Sequence, residues 1–198
     1  THFLMDQANE IIVEVNSAQP EILFGMHDVY IQKPAPATEP LPLTNCTDRI
    51  GSAIIPFDMS KIKYIVETDT PENIEELTTF TQESRRIAEN LFNFLRIEFQ
   101  TRSGGVIPPV QLGFGNIANA IAEMFQSSEF SDLQFHCGGV SEKVLELMLS
   151  GKASGISTSG ISMNENVGKI LEQIPDVQKK LVLRNGDIIN NSEIIGRL

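Results

Sequence analysis

The strongest signal for the fold class lies in residues 113–151, which read GFGNIANAIAEMFQSSEFSDLQFHCGGVSEKVLELMLSG. Two glycines are followed by apolar residues at helical spacing, and residues 133–136, LQFH, then predict a short strand. Residues 140–149 return to helical spacing, and Gly151 marks the predicted end of that helix. Because helices alternate with strands, the stretch predicts an α/β fold with mixed or largely parallel sheets and flanking helices.

The flanking sequence extends this alternation in both directions. Residues 166–173 favour a further helix, and residues 181–183 favour a further short strand. Towards the N-terminus, residues 11–15 are a β-branched run that predicts a buried strand, and residues 62–67 repeat the strand signature. The four prolines within residues 33–43 predict an extended connection without helix.

A long amphipathic helix is predicted from Thr81 onward, with Thr81 or Ser84 as its cap. Its apolar face is predicted from the spacing i, i+4, i+7, i+8 and i+12 of Ile87, Leu91, Phe94, Leu95 and Phe99. Gly104-Gly105 and two prolines then break the chain. We therefore predict two partial domains, 1–103 and 104–198.

Composition excludes several classes of protein. The 198 residues carry 15 basic and 26 acidic side chains, and the net charge of −11 argues against nonspecific binding to nucleic acid or anionic lipid. No apolar run approaches the roughly 18 residues of a membrane span. Cys46 and Cys137 match no zinc spacing and are predicted to be free thiols. The chain has neither a signal peptide nor an initiator Met, so it is expected to begin inside a longer protein or to be processed.

The loop from Gly113 to Gly115 is the sharpest candidate for a binding site. Glycines let backbone amides approach a ligand, and the helix that follows favours negative charge at its N-terminus. Asn116 and Asn119 lie in the first turn, where their amides could stabilise an oxyanion or could simply cap the helix. The third glycine and the acidic partner of a dinucleotide-binding motif are absent, which disfavours NAD binding.

The residues around this loop resemble a known family. Residues 110–120, VQLGFGNIANA, are similar to the glycine-loop signature of the acetyl-CoA hydrolase/transferase family, the class I CoA-transferases that include succinyl-CoA:acetate and 4-hydroxybutyrate CoA-transferases. Further blocks in the family's order and spacing are residues 12–16, 25–31, 48–51, 65–69, 84–88, 150–152, 183–184 and 194–198. The resemblance therefore covers nearly the whole chain.

This resemblance implies an architecture and a reaction. Family members have two α/β domains with the active site between them, and this chain corresponds to the end of the first domain and the start of the second. A glutamate attacks the acyl-CoA thioester, a glutamyl-CoA thioester follows, and a short carboxylate then takes up CoA. The resemblance assigns CoA or thioester-oxygen binding to Gln111, Gly113, Gly115, Asn116 and Asn119.

At the nucleophile the sequence departs from the family pattern. Counting back from residues 150–152, Gly138 occupies the position of the family's glutamate, so glutamate-dependent transfer is expected to be negligible. Cys137 and Glu142 are the nearest alternative nucleophiles. Asn190 resembles a family asparagine near the thioester, and Asn191 takes that place if the match shifts by one residue. Both asparagines could equally belong to a turn before a final helix.

The resemblance also implies partners and a location. The substrates would be an acyl-CoA, with coenzyme A as carrier and without a metal, and a short carboxylate of acetate metabolism. The full-length protein would be a homo-oligomer in the cytoplasm or the mitochondrion. The alternative is a non-catalytic acyl-CoA-binding protein or partner subunit. His27 is interpreted as a structural histidine.

Overall fold

The computed structural model describes residues 2–33, 35–72, 80–101 and 107–198. Its helices and strands follow one another in the order α1 (His2–Gln7), β1 (Ile11–Asn16), β2 (His27–Asp28), β3 (Ile62–Thr68), α2 (Gln82–Thr101), α3 (Asn116–Ser127), β4 (Leu133–Cys137), α4 (Glu142–Leu149), β5 (Ala153–Thr158), α5 (Glu165–Gln173), α6 (Val177–Lys180), β6 (Leu181–Arg184), α7 (Gly186–Ile189) and α8 (Ser192–Arg197). Short 3₁₀ turns occur at Glu21–Leu23 and Met59–Lys61. The predicted α/β class is confirmed.

The main sheet contains four parallel strands in the order β2-β6-β5-β4. Helices α4, α5 and α6 lie in the connections from β4 to β5 and from β5 to β6, as parallel pairing requires. Leu133, Phe135 and Ile156 are completely buried in one core with side chains of the flanking helices. Each such side chain contributes about 2 kcal/mol by leaving water, so this half of the chain has a substantial core.

A second, two-stranded sheet pairs β1 with β3 in parallel. Both predicted strands are confirmed, but the predicted burial of residues 11–15 is wrong. Ile12 is 66% exposed and Val15 is 51% exposed, and on β3 Ile65 is 64% exposed. The physical reason is that a two-stranded ribbon has little surface of its own against which to bury apolar side chains.

Helix α2 buries only part of the predicted face. Thr81 caps it, because its Oγ1 accepts the Ser84 N–H at 3.1 Å. The buried residues are Ser84, Ala88, Phe92 and Phe99, whereas Phe94 is 56% exposed. Small side chains on the buried face let α2 approach α3, and the Phe92 ring packs edge-on against Phe125 at 5.2 Å. Of the five residues predicted to form the buried face, Phe99 is buried and Leu95 is partly buried against the core, whereas Ile87, Leu91 and Phe94 are exposed.

The segment of residues 41–50 contains neither helix nor strand, turns at residues 45–47, and lies against β5, β6 and the C-terminal helices. Arg184 forms a fully buried ion pair with Asp28, and it also donates to the carbonyl oxygens of Cys46, at 3.1 Å, and Asp48. Leu41 and Leu43 pack in a small separate core with residues of α7 and α8. The prediction of helix-free chain over 33–43 holds for its described residues.

The predicted boundary near Gly104-Gly105 lies outside the described residues, so the division into 1–103 and 104–198 stays a prediction. Strand β2, from before that boundary, pairs with β6, from after it. Both cysteines are buried and free, as predicted. In the described part of the chain, no helix combines the length and apolar character needed to cross a membrane.

Candidate functional site

The glycine loop and the end of β4 lie side by side at the carboxyl edge of the main sheet. Val110 forms a parallel bridge to β4, donating to Gln134 O at 2.8 Å and accepting the His136 N–H at 3.1 Å. Two residues on, the Leu112 N–H donates to Cys137 Sγ at 3.3 Å. These contacts, with the Phe114 ring over Gly139, bring the glycine loop to the end of β4, at the sheet edge where ligands of open α/β folds bind.

The loop has the backbone geometry of a close-approach turn. Gly115 has φ +124° and ψ 179° and stands immediately before the first residue of α3, as predicted. A residue with a Cβ is strained at this positive φ, whereas glycine adopts it without steric cost. Gln111 and Gly113 are exposed, and a Cβ added to Gly113 would meet nothing within 4 Å. The loop backbone is therefore open to a ligand.

The two asparagines of α3 have different surroundings. Asn116 Oδ1 is buried and has no hydrogen-bond partner among the described residues. Asn119 is 4% exposed, and its Oδ1 accepts the Ser141 hydroxyl at 2.6 Å. Ser141 is the N-cap residue of α4, yet its hydroxyl makes no capping bond to its own helix. Asn119 therefore ties the loop helix to the turn after β4, while Asn116 keeps an unsatisfied acceptor.

Gly138 lies just beyond the end of β4 and is exposed. A Cβ added there would meet no heavy atom within 4 Å. Its carbonyl oxygen accepts a hydrogen bond from the Ser159 hydroxyl, which follows β5. The backbone is therefore held in place while the side-chain direction is open, so the position has room for a larger residue.

The two alternative nucleophiles have poor environments. Cys137 is fully buried, and burial raises the pKa of its thiol, which disfavours the reactive thiolate. Its Sγ donates to Val110 O at 3.7 Å. Glu142 begins α4, and its Oε2 accepts the Asn164 side-chain amide at 3.2 Å. Neither group combines exposure with activation.

Asn190 and Asn191 lie in the turn before the final helix, as their structural interpretation predicted. Asn190 is exposed and donates from Nδ2 to Gly186 O at 3.0 Å. Asn191 Oδ1 accepts the Glu193 N–H at 2.9 Å and so caps α8. The buried His136 lies 2.9 Å, through Nε2, from Ile189 O, which links this turn to β4. An active-site role for Asn190 stays a prediction.

His27 lines a cavity of about 330 Å³ at the carboxyl ends of β6 and β2. Burial, and secondarily the charge of Arg49, lowers the pKa of its imidazole, so it is neutral near pH 7. Within residues that the structure describes, no group of three or more His, Cys, Asp or Glu side chains could hold a metal ion. A larger cavity, of about 860 Å³, lies beside α5 and Pro71, away from the glycine loop.

Sequence reasoning missed Ser141 and Ser159. Ser159 follows β5, which was itself not predicted, and Ser141 looks like an ordinary helix cap. The only sequence signal for Ser159 was the Ser-Thr-Ser run of residues 157–159, which lies between two predicted helices where an α/β fold requires a strand.

A Gly139→Ala variant is expected to displace the glycine loop. The added Cβ would lie 2.0 Å from Cε2 of the Phe114 ring. This ring, which is 63% exposed, must rotate away from Gly139 to relieve the clash. Because the exposed Phe114 ring can rotate away from Gly139, we expect a loss of no more than about 1 kcal/mol in the free energy of unfolding, measured by urea denaturation. In a Phe114→Ala background the same change should cost much less, and equal costs in both backgrounds would contradict this packing.

Comparison with known proteins agrees with this architecture. No protein-family model matches the chain. Among curated proteins, it is 34% identical over 203 residues to the succinyl-CoA:acetate CoA-transferase of Clostridium kluyveri, an alignment that covers all of the chain and 37% of that protein. It is 32% identical over 197 residues to the acetyl-CoA hydrolase of Candida albicans, covering 98% of the chain and 37% of the hydrolase.

Solved structures show the same fold. RipA from Yersinia pestis matches with a TM-score of 0.63 at 16% identity, over 99% of this chain and 38% of RipA. The 4-hydroxybutyrate CoA-transferase of Porphyromonas gingivalis matches with a TM-score of 0.59 at 20% identity, over 96% of this chain and 39% of the transferase. In sequence and fold the whole chain is similar to acetyl-CoA hydrolases and CoA-transferases, and it spans somewhat more than a third of the length of the curated relatives it matches.

Proposed function

We propose that this chain binds an acyl-CoA thioester at the carboxyl edge of its main sheet, in a protein of the CoA-transferase or acetyl-CoA hydrolase type. The observation that carries the proposal is the placement of Gly138 beside the glycine loop, with open space in its side-chain direction. In the glutamyl route that the family resemblance implies, the nucleophile would project from this position. The short carboxylate acceptor and assembly as a homo-oligomer belong to the same proposal.

The loop supplies the electrostatics of such a site. An acyl thioester oxygen becomes negative when a nucleophile attacks the carbonyl carbon, and backbone amides at the start of a helix stabilise that charge. CoA is itself an anion, whereas the chain carries a net charge of −11. Binding must therefore depend on local donors in the loop and at α3, because the overall field opposes the ligand.

As the chain stands, Gly138 offers no carboxylate to form the acyl anhydride or the glutamyl-CoA thioester. We therefore favour thioester binding without glutamate-dependent transfer. An enzyme of the family type would transfer CoA after binding the thioester, whereas a non-catalytic acyl-CoA-binding protein or subunit would only bind it. Isothermal calorimetry with CoA, combined with an assay of CoA exchange between acetyl-CoA and labelled acetate, separates the two: binding without exchange supports the binding protein.

An Asn116→Ala variant is expected to bind CoA about tenfold more weakly, the loss of one good hydrogen bond. Because Asn116 Oδ1 has no partner among the described residues, its removal should leave the stability nearly unchanged. Calorimetry gives the affinity and thermal unfolding gives the stability. The matched control is Asn93→Ala, an exposed asparagine on α2. Unaltered CoA affinity in Asn116→Ala, or binding of NAD in place of CoA, would refute the assignment.

A further inference from the structure

We propose that the 330 Å³ cavity at the ends of β6 and β2 holds the acyl chain of the thioester, and that it selects uncharged chains longer than acetyl. This inference rests on the proposed function, since it names the part of the substrate that occupies space next to the same site. The cavity lies outside the glycine loop and contains none of the loop residues.

The register of the sheet places the cavity in line with the nucleophile position. His27 pairs with Leu183, Leu183 with Thr158, and Thr158 with Cys137, so these residues form one row across four strands. Adjacent strands are about 4.8 Å apart. The cavity therefore begins one to two strands from Gly138, along the carboxyl edge.

Ser159 connects the two places directly. Its hydroxyl donates to the carbonyl oxygen of Gly138, and the same residue lines the cavity. A thioester whose carbonyl carbon lies beside Gly138 can therefore extend its acyl chain past Ser159 into the cavity. The CoA side of the thioester would then point towards the glycine loop.

The cavity has one apolar part and one polar part. Val29, Ile55 and Leu183 supply the apolar surface, and the remaining lining residues are His2, His27, Ser159, Arg184, Asn185, Gly186 and Asp187. A volume of 330 Å³ holds roughly ten water-sized groups, which is several times the size of an acetyl group. A two-carbon acyl group would leave most of this space unfilled, whereas a longer chain that lies along Val29, Ile55 and Leu183 would displace water from these apolar side chains.

Charge at the cavity disfavours an acyl chain that ends in a carboxylate. The Arg184 guanidinium is already neutralised by Asp28, and the Asn185 amide is bound to Tyr30 on both sides, at 3.3 and 2.8 Å. The Asp187 carboxylate also lines the cavity, and within the described chain it has no ion-pair partner. A terminal carboxylate would meet this like charge. The nearby Arg49 donates to the carbonyls of His27 and Gln178 and does not line the cavity.

The test is calorimetry on the full-length protein with CoA, acetyl-CoA, hexanoyl-CoA and succinyl-CoA. We expect hexanoyl-CoA to bind about tenfold or more tighter than acetyl-CoA, because buried methylenes each add affinity, and succinyl-CoA to bind no better than acetyl-CoA. Equal affinity for acetyl-CoA and hexanoyl-CoA, or a preference for succinyl-CoA, would overturn the proposal. Absence of CoA binding altogether would instead defeat the proposed function on which it rests.

A pair of neighbouring variants locates the effect. Ile55→Phe places a larger side chain in the cavity, whereas Ile54→Phe changes an adjacent residue that is 66% exposed and does not line it. Ile55→Phe should weaken hexanoyl-CoA binding about tenfold and leave CoA and acetyl-CoA within about twofold. Ile54→Phe should change none of them. If Ile55→Phe weakens all three ligands equally, or none of them, the cavity is not the acyl-chain site.

Discussion

A Gly138→Glu variant is expected to exchange CoA between an acyl-CoA and a free carboxylate, which the unmodified protein is not expected to do through a glutamyl intermediate. The position accepts a side chain without a clash, and the Ser159 bond holds its carbonyl in place. Loss of a nucleophile costs enzymes roughly 10⁴- to 10⁶-fold in kcat, so even partial recovery should exceed about 10²-fold. The measurement is transfer of CoA from acetyl-CoA to labelled propionate.

The control variant is Gly138→Gln, which has the same size but no nucleophilic carboxylate. The Glu variant should also gain covalently bound CoA when it is incubated with acetyl-CoA, visible as an increase in intact protein mass that the Gln variant does not show. The added mass should disappear on treatment with hydroxylamine, which cleaves thioesters. Equal exchange by the Glu and Gln variants would show that residue 138 is not the nucleophile position.

The largest loss of stability is expected for Asp28→Asn, at about 3–5 kcal/mol, because the change leaves a buried charge without its partner. The side chains of Asp28 and Arg184 are 1% and 0% exposed. Asp28 also accepts the backbone N–H groups of Gly51 at 2.7 Å and Ile50 at 3.1 Å. The substitution therefore loosens β2 and the segment of residues 41–50 together. Urea denaturation gives the free energy of unfolding.

An exposed ion pair provides the comparison. Lys169 and Glu165 lie 2.6 Å apart on α5 with side chains 61% and 86% exposed, so Lys169→Ala should cost no more than about 0.5 kcal/mol. A double variant, Asp28→Leu with Arg184→Met, should lose less than the sum of the two single changes, because neither charge is then left alone. Losses that simply add would argue against a direct interaction within the pair.

The second half of the fold could be predicted because its local signals agree. Helices α3 and α4 show clean helical spacing, and β4 lies between them as a short strand in which Leu133 and Phe135 alternate with Gln134 and His136. Strand β5 was missed since residues 153–158, ASGIST, are mostly small and polar and contain a glycine. β5 is buried because it lies between β4 and β6. The strand order that places it there is set by the tertiary structure and cannot be read from its local sequence.

The candidate site could be predicted in part. For the loop and the nucleophile position, the residues selected from the sequence were Gln111, Gly113, Gly115, Asn116, Asn119 and Gly138. The structure places the glycine loop and Gly138 at one sheet edge. The bond between Asn119 and Ser141 joins residues 22 apart, and the bond between Ser159 and Gly138 joins residues 21 apart. Such contacts depend on which strands pair with one another and on the conformation of the turns that follow them. Local periodicity carries no information about either.

The pairing of β2 with β6 has a consequence for synthesis of the protein. Asp28 and Arg184 are 156 residues apart. A ribosome that adds about 5–20 residues per second needs roughly ten to thirty seconds to cover that distance. During this time β2 has no partner strand, and Leu41 and Leu43 lack the C-terminal helices against which they pack. The nascent chain therefore exposes the apolar side chains of Leu41 and Leu43 until the helices that cover them have been made.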